Sequence, residues 1–216
     1  MLNIKRFVLN MLEENCYIIS DETKEAILID DGAYYDKEHQ AIDEYIANEG
    51  LTLKHIVCTH AHFDHTWGMH HLYQTYGLKP EIHPDDAEFY ANLPLQILSI
   101  YGYQFDAPSA PVGTLLHEGD TVQFGSHKMQ VIHTPGHTPG GICLYCAEEG
   151  VLFSGDTLFE MSVGRTDFPG GSMEALLDCL KNKIMPLPAD TKVYPGHGNA
   201  TTIGNEQKFN SFIKFN

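Results

Sequence analysis

The sequence predicts an α/β fold: two mixed sheets facing each other, with helices on the outside. Three observations point to it. The order strands, helix, strand, helix occurs twice, on either side of a helical insertion at about 84–114. The run "LKHIVCTH" is apolar almost throughout, as expected of a strand covered on both faces. The helical stretches are apolar on one side only, so each needs a surface to lie on. Residues 1–216 suffice for a single domain built from two similar halves.

The elements follow in order. "MLNIKRFVL", "CYIIS" and "EAILID" are short, partly β-branched strands separated by polar turns. Residues 36–49 form a helix, with Ala41, Ile42, Tyr45 and Ile46 at helical spacing and Gly50 where it stops. After "LKHIVCTH", "TWGMHHLYQTYG" reads as a helix closed by Gly77, and "PEIH" as a brief strand. Residues 85–104 are helical with a break at Pro94, and "FDAPSAPVGT" is loop. The strands "TLLH", "DTVQF", "HKMQVIHT", "GICLYC" and "GVLFSGD" come next. "SMEALLDCLKNKI" is a helix with Ser172 as N-cap and Leu176, Leu177, Leu180 and Ile184 on its apolar face. "KVYPG" is a last strand, and residues 202–214 a terminal helix.

Composition excludes several functions. Lys+Arg 13 against Asp+Glu 29 give a formal charge of −16, which opposes a nucleic-acid partner. No apolar run is long enough to span a membrane. Asn3, Asn10, Glu13 and Glu14 interrupt any signal-peptide core, so a soluble cytoplasmic protein is expected. The cysteines Cys16, Cys58, Cys143, Cys146 and Cys179 are odd in number and lie in apolar runs, against a disulfide framework. Cys143 and Cys146 stand three apart in a predicted strand, where their side chains point to opposite faces.

One stretch is chemically unusual. "HAHFDH" places His60, His62, Asp64 and His65 within six positions, at the end of the apolar strand. In an extended segment His60 and His62 point the same way and can grip one ion. Asp64 and His65 lie one turn further on and can face a second. Two imidazoles leave a tetrahedral ion short of ligands. His137, Asp156 and His197, each near the end of an apparent strand, can supply the rest. The carboxylate of Asp156 has two oxygens and can bridge two ions. The other histidines, His39, His55, His70, His71, His83, His117, His127 and His133, read as packing or surface residues.

With "HAHFDH", "TPGHTPGG", "FSGDTLF" and "YPGHG" in this order, the chain resembles the metallo-β-lactamase-fold superfamily over nearly its whole length. It looks most like the short glyoxalase II (hydroxyacylglutathione hydrolase) group. Asp156 in "GDTLF" separates it from the β-lactamases proper, which usually have Cys there, and "GRTDFPGGS" also looks like this group. The resemblance implies an αββα sandwich with two divalent metal ions: zinc first, with iron or manganese also suited. His60, His62 and His137 would hold one ion, Asp64, His65 and His197 the other, and Asp156 would bridge them. The implied chemistry is attack of metal-activated water on a small acyl thioester, with Asp64 as ligand and proton carrier. Arg165 would meet a substrate carboxylate or pair with Asp167; Phe159 and Phe63 would wall the cleft.

The chain departs from that pattern in two places. Asn199 stands where the group has a Tyr, and residues 198–216 leave room for one helix instead of the C-terminal glutathione-binding domain. Other readings fit the same motifs. A persulfide dioxygenase would hold a single iron through His60, His137 and Asp156. Phosphodiester cleavage is opposed by the negative charge, and a metal-binding protein without turnover would waste an open water position.

Overall fold

The computed structural model describes residues 1–102 and 108–214, with the backbone alone for 99–101. Strands β1 (Asn3–Leu9), β2 (Glu14–Ser20), β3 (Glu25–Ile29) and β4 (Thr52–Val57) form a four-stranded sheet in that order. The first three run antiparallel, and helix α1 (Asp36–Glu49) crosses over to set β4 parallel to β3. The larger sheet has the order β12-β11-β8-β7-β6-β5. Its strands are β5 (Thr121–Phe124), β6 (His127–His133), β7 (Ile142–Cys146), β8 (Val151–Gly155), β11 (Lys192–Pro195) and β12 (Thr201–Thr202). Here β11 is parallel to β8, and the other pairs are antiparallel. A small hairpin of β9 (Leu158–Phe159) and β10 (Ser162–Val163) stands beside it.

The alternation of side chains along each strand makes the layers. Tyr17, Ile19, Ile27, Ile29 and Val57 of the first sheet meet Val122, Phe124, Met129, Val131, Leu144 and Phe153 of the second. The opposite face of the first sheet, with Ile18, Leu28, Ile56 and Cys58, packs on Ile42 and Ile46 of α1 and on Met69 and Leu72 of α3 (Met69–Tyr76). The outer face of the second, with Ile132, Cys143, Leu152 and Val193, packs on Leu176 of α6 (Met173–Cys179), on Leu180 and Ile184, and on Ile203 of α7 (Ile203–Phe209). Each fully buried aliphatic side chain contributes about 1.5–3 kcal/mol. The result is helix on sheet on sheet on helix, the predicted class.

The cysteine reading holds: all five thiols are free and buried. Cys143 faces the outer helices and Cys146 the space between the sheets. Gly50 and Gly77 close their helices in the left-handed conformation, and the Ser172 hydroxyl accepts a hydrogen bond from Ala175 N–H at 3.2 Å.

Several boundaries differ from expectation. The helix expected over 66–77 is two pieces, α2 (Phe63–Thr66) and α3, parted at Gly68. A Cβ on Gly68 would run into the Asp31 carboxyl. The insertion breaks at Asn92, between α4 (Pro84–Ala91) and α5 (Leu93–Tyr101). Pro94 lies in the first turn of α5, where its missing N–H costs nothing. "PEIH" and "TLLH" shrink to single bridges, Val57 to Glu81 and Ile82 to Leu115. The helix over 172–184 ends in a wider turn over Leu180–Ile184. The terminal helix stops at Phe209, and a 3-10 turn over Ser211–Ile213 follows. Residues 103–107, at the junction of the predicted insertion and loop, lie outside the described residues.

The two halves are tied together at one end. Asn15 Nδ2 donates to the carbonyls of Pro195 at 2.9 Å and Gly198 at 3.0 Å, and Asn15 N–H to Gly196 O at 2.7 Å. The Tyr17 hydroxyl also donates to Pro195 O, at 2.7 Å. Asp86, on α4, adds a second tie. Its buried carboxylate accepts from Ala61 N–H at 2.9 Å, the Thr138 hydroxyl at 2.7 Å and Gly140 N–H at 2.6 Å. One side chain thus joins the "HAHFDH" loop to the "TPGHTPGG" loop. Asp86→Ala leaves three buried donors without an acceptor and should cost about 3 kcal/mol. Denaturant unfolding measures this; a change below about 0.5 kcal/mol would show that water replaces the carboxylate.

Candidate metal centre

The seven residues singled out in the sequence lie together where strands end. β4 leads to His60, His62, Asp64 and His65; β6 to His137; β8 to Asp156; β11 to His197. His62 Nδ1 stands 2.8 Å from His137 Nε2, and His60 offers a third nitrogen within 4.8 Å of both. A second group forms beside it. His65 Nε2 is 3.2 Å from His197 Nε2, and Asp64 Oδ2 is 3.3 Å from His197 Nε2. Asp156 faces both groups. Its Oδ1 is 3.5 Å from His65 Nε2, while its Oδ2 is 3.5 Å from His137 Nε2 and 3.7 Å from His197 Nε2. Gly196 allows this close approach, because a Cβ there would strike both Asp156 and His65.

Hydrogen bonds behind the rings set which nitrogen points inward. His137 Nδ1–H donates to Arg165 O at 2.7 Å, and His197 Nδ1–H to Leu12 O at 3.1 Å. His65 Nδ1–H donates to Asp30 Oδ2 at 3.0 Å. The Thr59 hydroxyl is itself committed to Asp30, at 2.7 Å, so it accepts from His60 Nδ1–H at 3.1 Å. Each of these rings therefore turns its Nε2 toward the cavity. His60 Nε2 and Asp156 Oδ1 are buried with no hydrogen-bond partner.

Charge follows the same layout. Burial, then the neighbouring imidazoles, hold His60 well below the usual histidine range, and burial with His137 takes His62 down to about 3. Burial opposes ionisation of Asp64, but His65 and His197 outweigh it and leave its carboxyl at about 2. Burial also opposes the charged forms of His65 and His197. The surrounding carboxylates of Asp156 and Asp64 prevail and raise both, with Asp30 adding to the effect on His65. The cluster thus attracts positive charge while His60 and His62 stay neutral.

These residues fit divalent cations. Nitrogen and carboxylate donors are the usual set for zinc and iron. Two nitrogens on one tetrahedral ion would stand about 3.3 Å apart, from the ordinary metal–nitrogen distance. The two buried, unpartnered atoms are what such an ion would satisfy.

A cavity of about 500 Å³ opens over the donors, lined also by Leu12, Phe63, Phe159, Val163, Arg165 and Phe168. Phe159 stands at its wall as expected, and Phe63 packs at 4.7 Å against Trp67. Arg165 grips Asp167 through two bonds of 2.7 and 2.6 Å, the second of the two roles considered for it. His71 pairs with Asp43, His55 with Glu81, and His127 with Asp21 and Glu149, away from the donors.

Sequence reasoning missed the supports. Asp30 also accepts from Thr59 N–H at 2.7 Å, so one carboxylate fixes His65 and, through Thr59, His60. It ends the buried strand "EAILID" much as Asp156 ends "LFSGD", and that likeness was a usable signal. Asp86, Leu12 and Phe168 carried none.

Comparison with known proteins agrees with this fold. The profile of the metallo-beta-lactamase superfamily matches residues 10–197. A hydroxyacylglutathione hydrolase, GloC, of Haemophilus influenzae is 34% identical over 98% of both chains. The crystal structure of BLEG-1 B3 metallo-beta-lactamase superposes with a TM-score of 0.90 at 35% identity, covering 99% of this chain and 100% of that one. TTHA1623, crystallised in a di-iron-bound form, gives 0.85 at 36% identity, covering 96% and 99%. The relatives' names span different activities, but the family profile covers most of the chain: the chain belongs to the metallo-beta-lactamase superfamily.

Proposed function

We propose that this protein hydrolyses a small acyl thioester at a dinuclear metal centre. His60, His62 and His137 hold one ion, Asp64, His65 and His197 the other, and Asp156 lies between. The observation that carries the reading is Asp156, whose carboxylate reaches both donor groups: Oδ2 is 3.5 Å from His137 Nε2 and 3.7 Å from His197 Nε2, and Oδ1 is 3.5 Å from His65 Nε2. Zinc is the first expectation, and the di-iron form of a relative keeps iron beside it. The free, buried thiols suit the reducing cytoplasm, where we place the chain.

When bound, the ions supply a water that deprotonates near neutral pH and a Lewis acid for the carbonyl oxygen. The protein's own groups do the rest. Asp30, Arg165 O and Leu12 O fix the rings in the tautomer that binds metal. Phe63, Phe159 and Phe168 keep bulk water from the reacting carbonyl, which strengthens every charge interaction inside. Asp64, ionised at neutral pH, keeps its charge for the second ion, and the proton of the product acid passes to solvent. The leaving thiolate, with an ordinary pKa of about 8.5, departs without a strong acid.

Four outcomes test this. Purified protein should carry two metal ions per chain and hydrolyse S-D-lactoylglutathione or a simpler thioester. Asp156→Ala and His62→Ala should each lose metal and at least about a thousandfold in kcat/KM. An unchanged rate in a metal-depleted variant would sink the proposal. So would one iron per chain with brisk oxygen uptake on glutathione persulfide. Asp30→Ala should weaken metal affinity by about 10–100-fold while leaving the fold intact, as chelator competition would report. Finally, His65 and His197 keep their protons to higher pH than ordinary histidines, and metal must displace them. Metal affinity should therefore rise with pH through and above the histidine range. Calorimetry in buffers of different ionisation heat should register proton release at pH 7; its absence would contradict the charge layout.

A further inference from the structure

The cavity differs in character between floor and walls. Beside donors of the metal centre, Leu12, Phe63, Phe159, Val163 and Phe168 line it, with Ser162 as the uncharged polar residue among the described lining. Arg165 is the single cation among the described lining residues. It is already engaged: Asp167 holds it in a fork, and its guanidinium lies 4.1 Å from the Phe168 ring. Phe168 in turn meets His62 edge-on, with ring centres 5.3 Å apart. Beyond the donor set, no free positive side chain is left in the described lining for a substrate carboxylate. Desolvating a carboxylate against aromatic walls is costly, whereas each methylene placed there gains.

We infer that the substrate carries an uncharged apolar chain beside its reacting carbonyl, seated on Leu12, Phe159 and Phe168. The inference rests on the thioester reading and narrows it, away from charged peptide thiols. A volume of about 500 Å³ accommodates such a chain together with the thioester group.

Binding and turnover test it separately. Thioether analogues, with S–CH2 in place of the thioester S–C=O, carry butyl, hexyl or octyl chains on an N-acetylcysteamine head. Calorimetry on the metal-loaded protein should show affinity rising about threefold per methylene. Phe168→Ala should flatten that slope to below about twofold. A flat or falling slope in the unaltered protein overturns the inference. In parallel, kcat/KM is measured for acetyl, butyryl and hexanoyl thioesters of N-acetylcysteamine and for S-lactoylglutathione. Hexanoyl exceeding lactoylglutathione supports the inference, and the reverse order overturns it. If affinity climbs with chain length but none of these thioesters is cleaved, the reaction reading fails and the apolar site stands. If thioesters are cleaved with no gain from chain length, the apolar site fails and the reaction reading stands.

Discussion

Lone pairs aimed at one another repel, and this chain gathers five imidazoles and two carboxylates around a single cavity. Everything near the cavity serves to keep them there. Carbonyl, hydroxyl and carboxylate acceptors hold the outer ring nitrogens of His60, His65, His137 and His197. Asp30 and Asp86 do not line the cavity, yet between them they fix the strand-end loops that carry most of the donors. Such an arrangement costs stability unless cations repay it, the common condition of functional sites held in strained surroundings.

The sandwich makes this arrangement rigid. Strands covered on both faces cannot shift register without exposing a full set of apolar side chains. The donors leave from the ends of β4, β8 and β11, so their spacing is inherited from the spacing of strands. Apolar walls above and metal-binding floor below then divide the work: the floor supplies reactivity, the walls choose what reaches it.

Much of this was legible in residue order. Strand alternation and near-continuous apolar runs announced two covered sheets, and "HAHFDH" with the three later motifs announced the donors. What escaped depended on contacts that no local pattern encodes. Asp86 reads as an acid in the first turn of a helix, where carboxylates ordinarily sit in solvent. Only the fold turns it inward onto two loops. At the division between α2 and α3, Gly68 N–H likewise donates to Asp31 O at 2.8 Å, a contact between segments far apart in sequence. "PEIH" looked like a strand and is one in conformation, but its neighbours pair with it at one residue only.

The clamp of Asn15 and Tyr17 on the segment 195–198 joins the N-terminal hairpin to the loop of His197. Each donor group is likewise shared: His62 and His137 are 75 positions apart, His65 and His197 132. Ions seated there would act as rivets between the two halves of the chain, closing loops far longer than any hairpin. The centre then becomes a late product of folding, assembled only after both sheets have met. In the cell, metal supply would govern how long the molecule lasts as well as what it does.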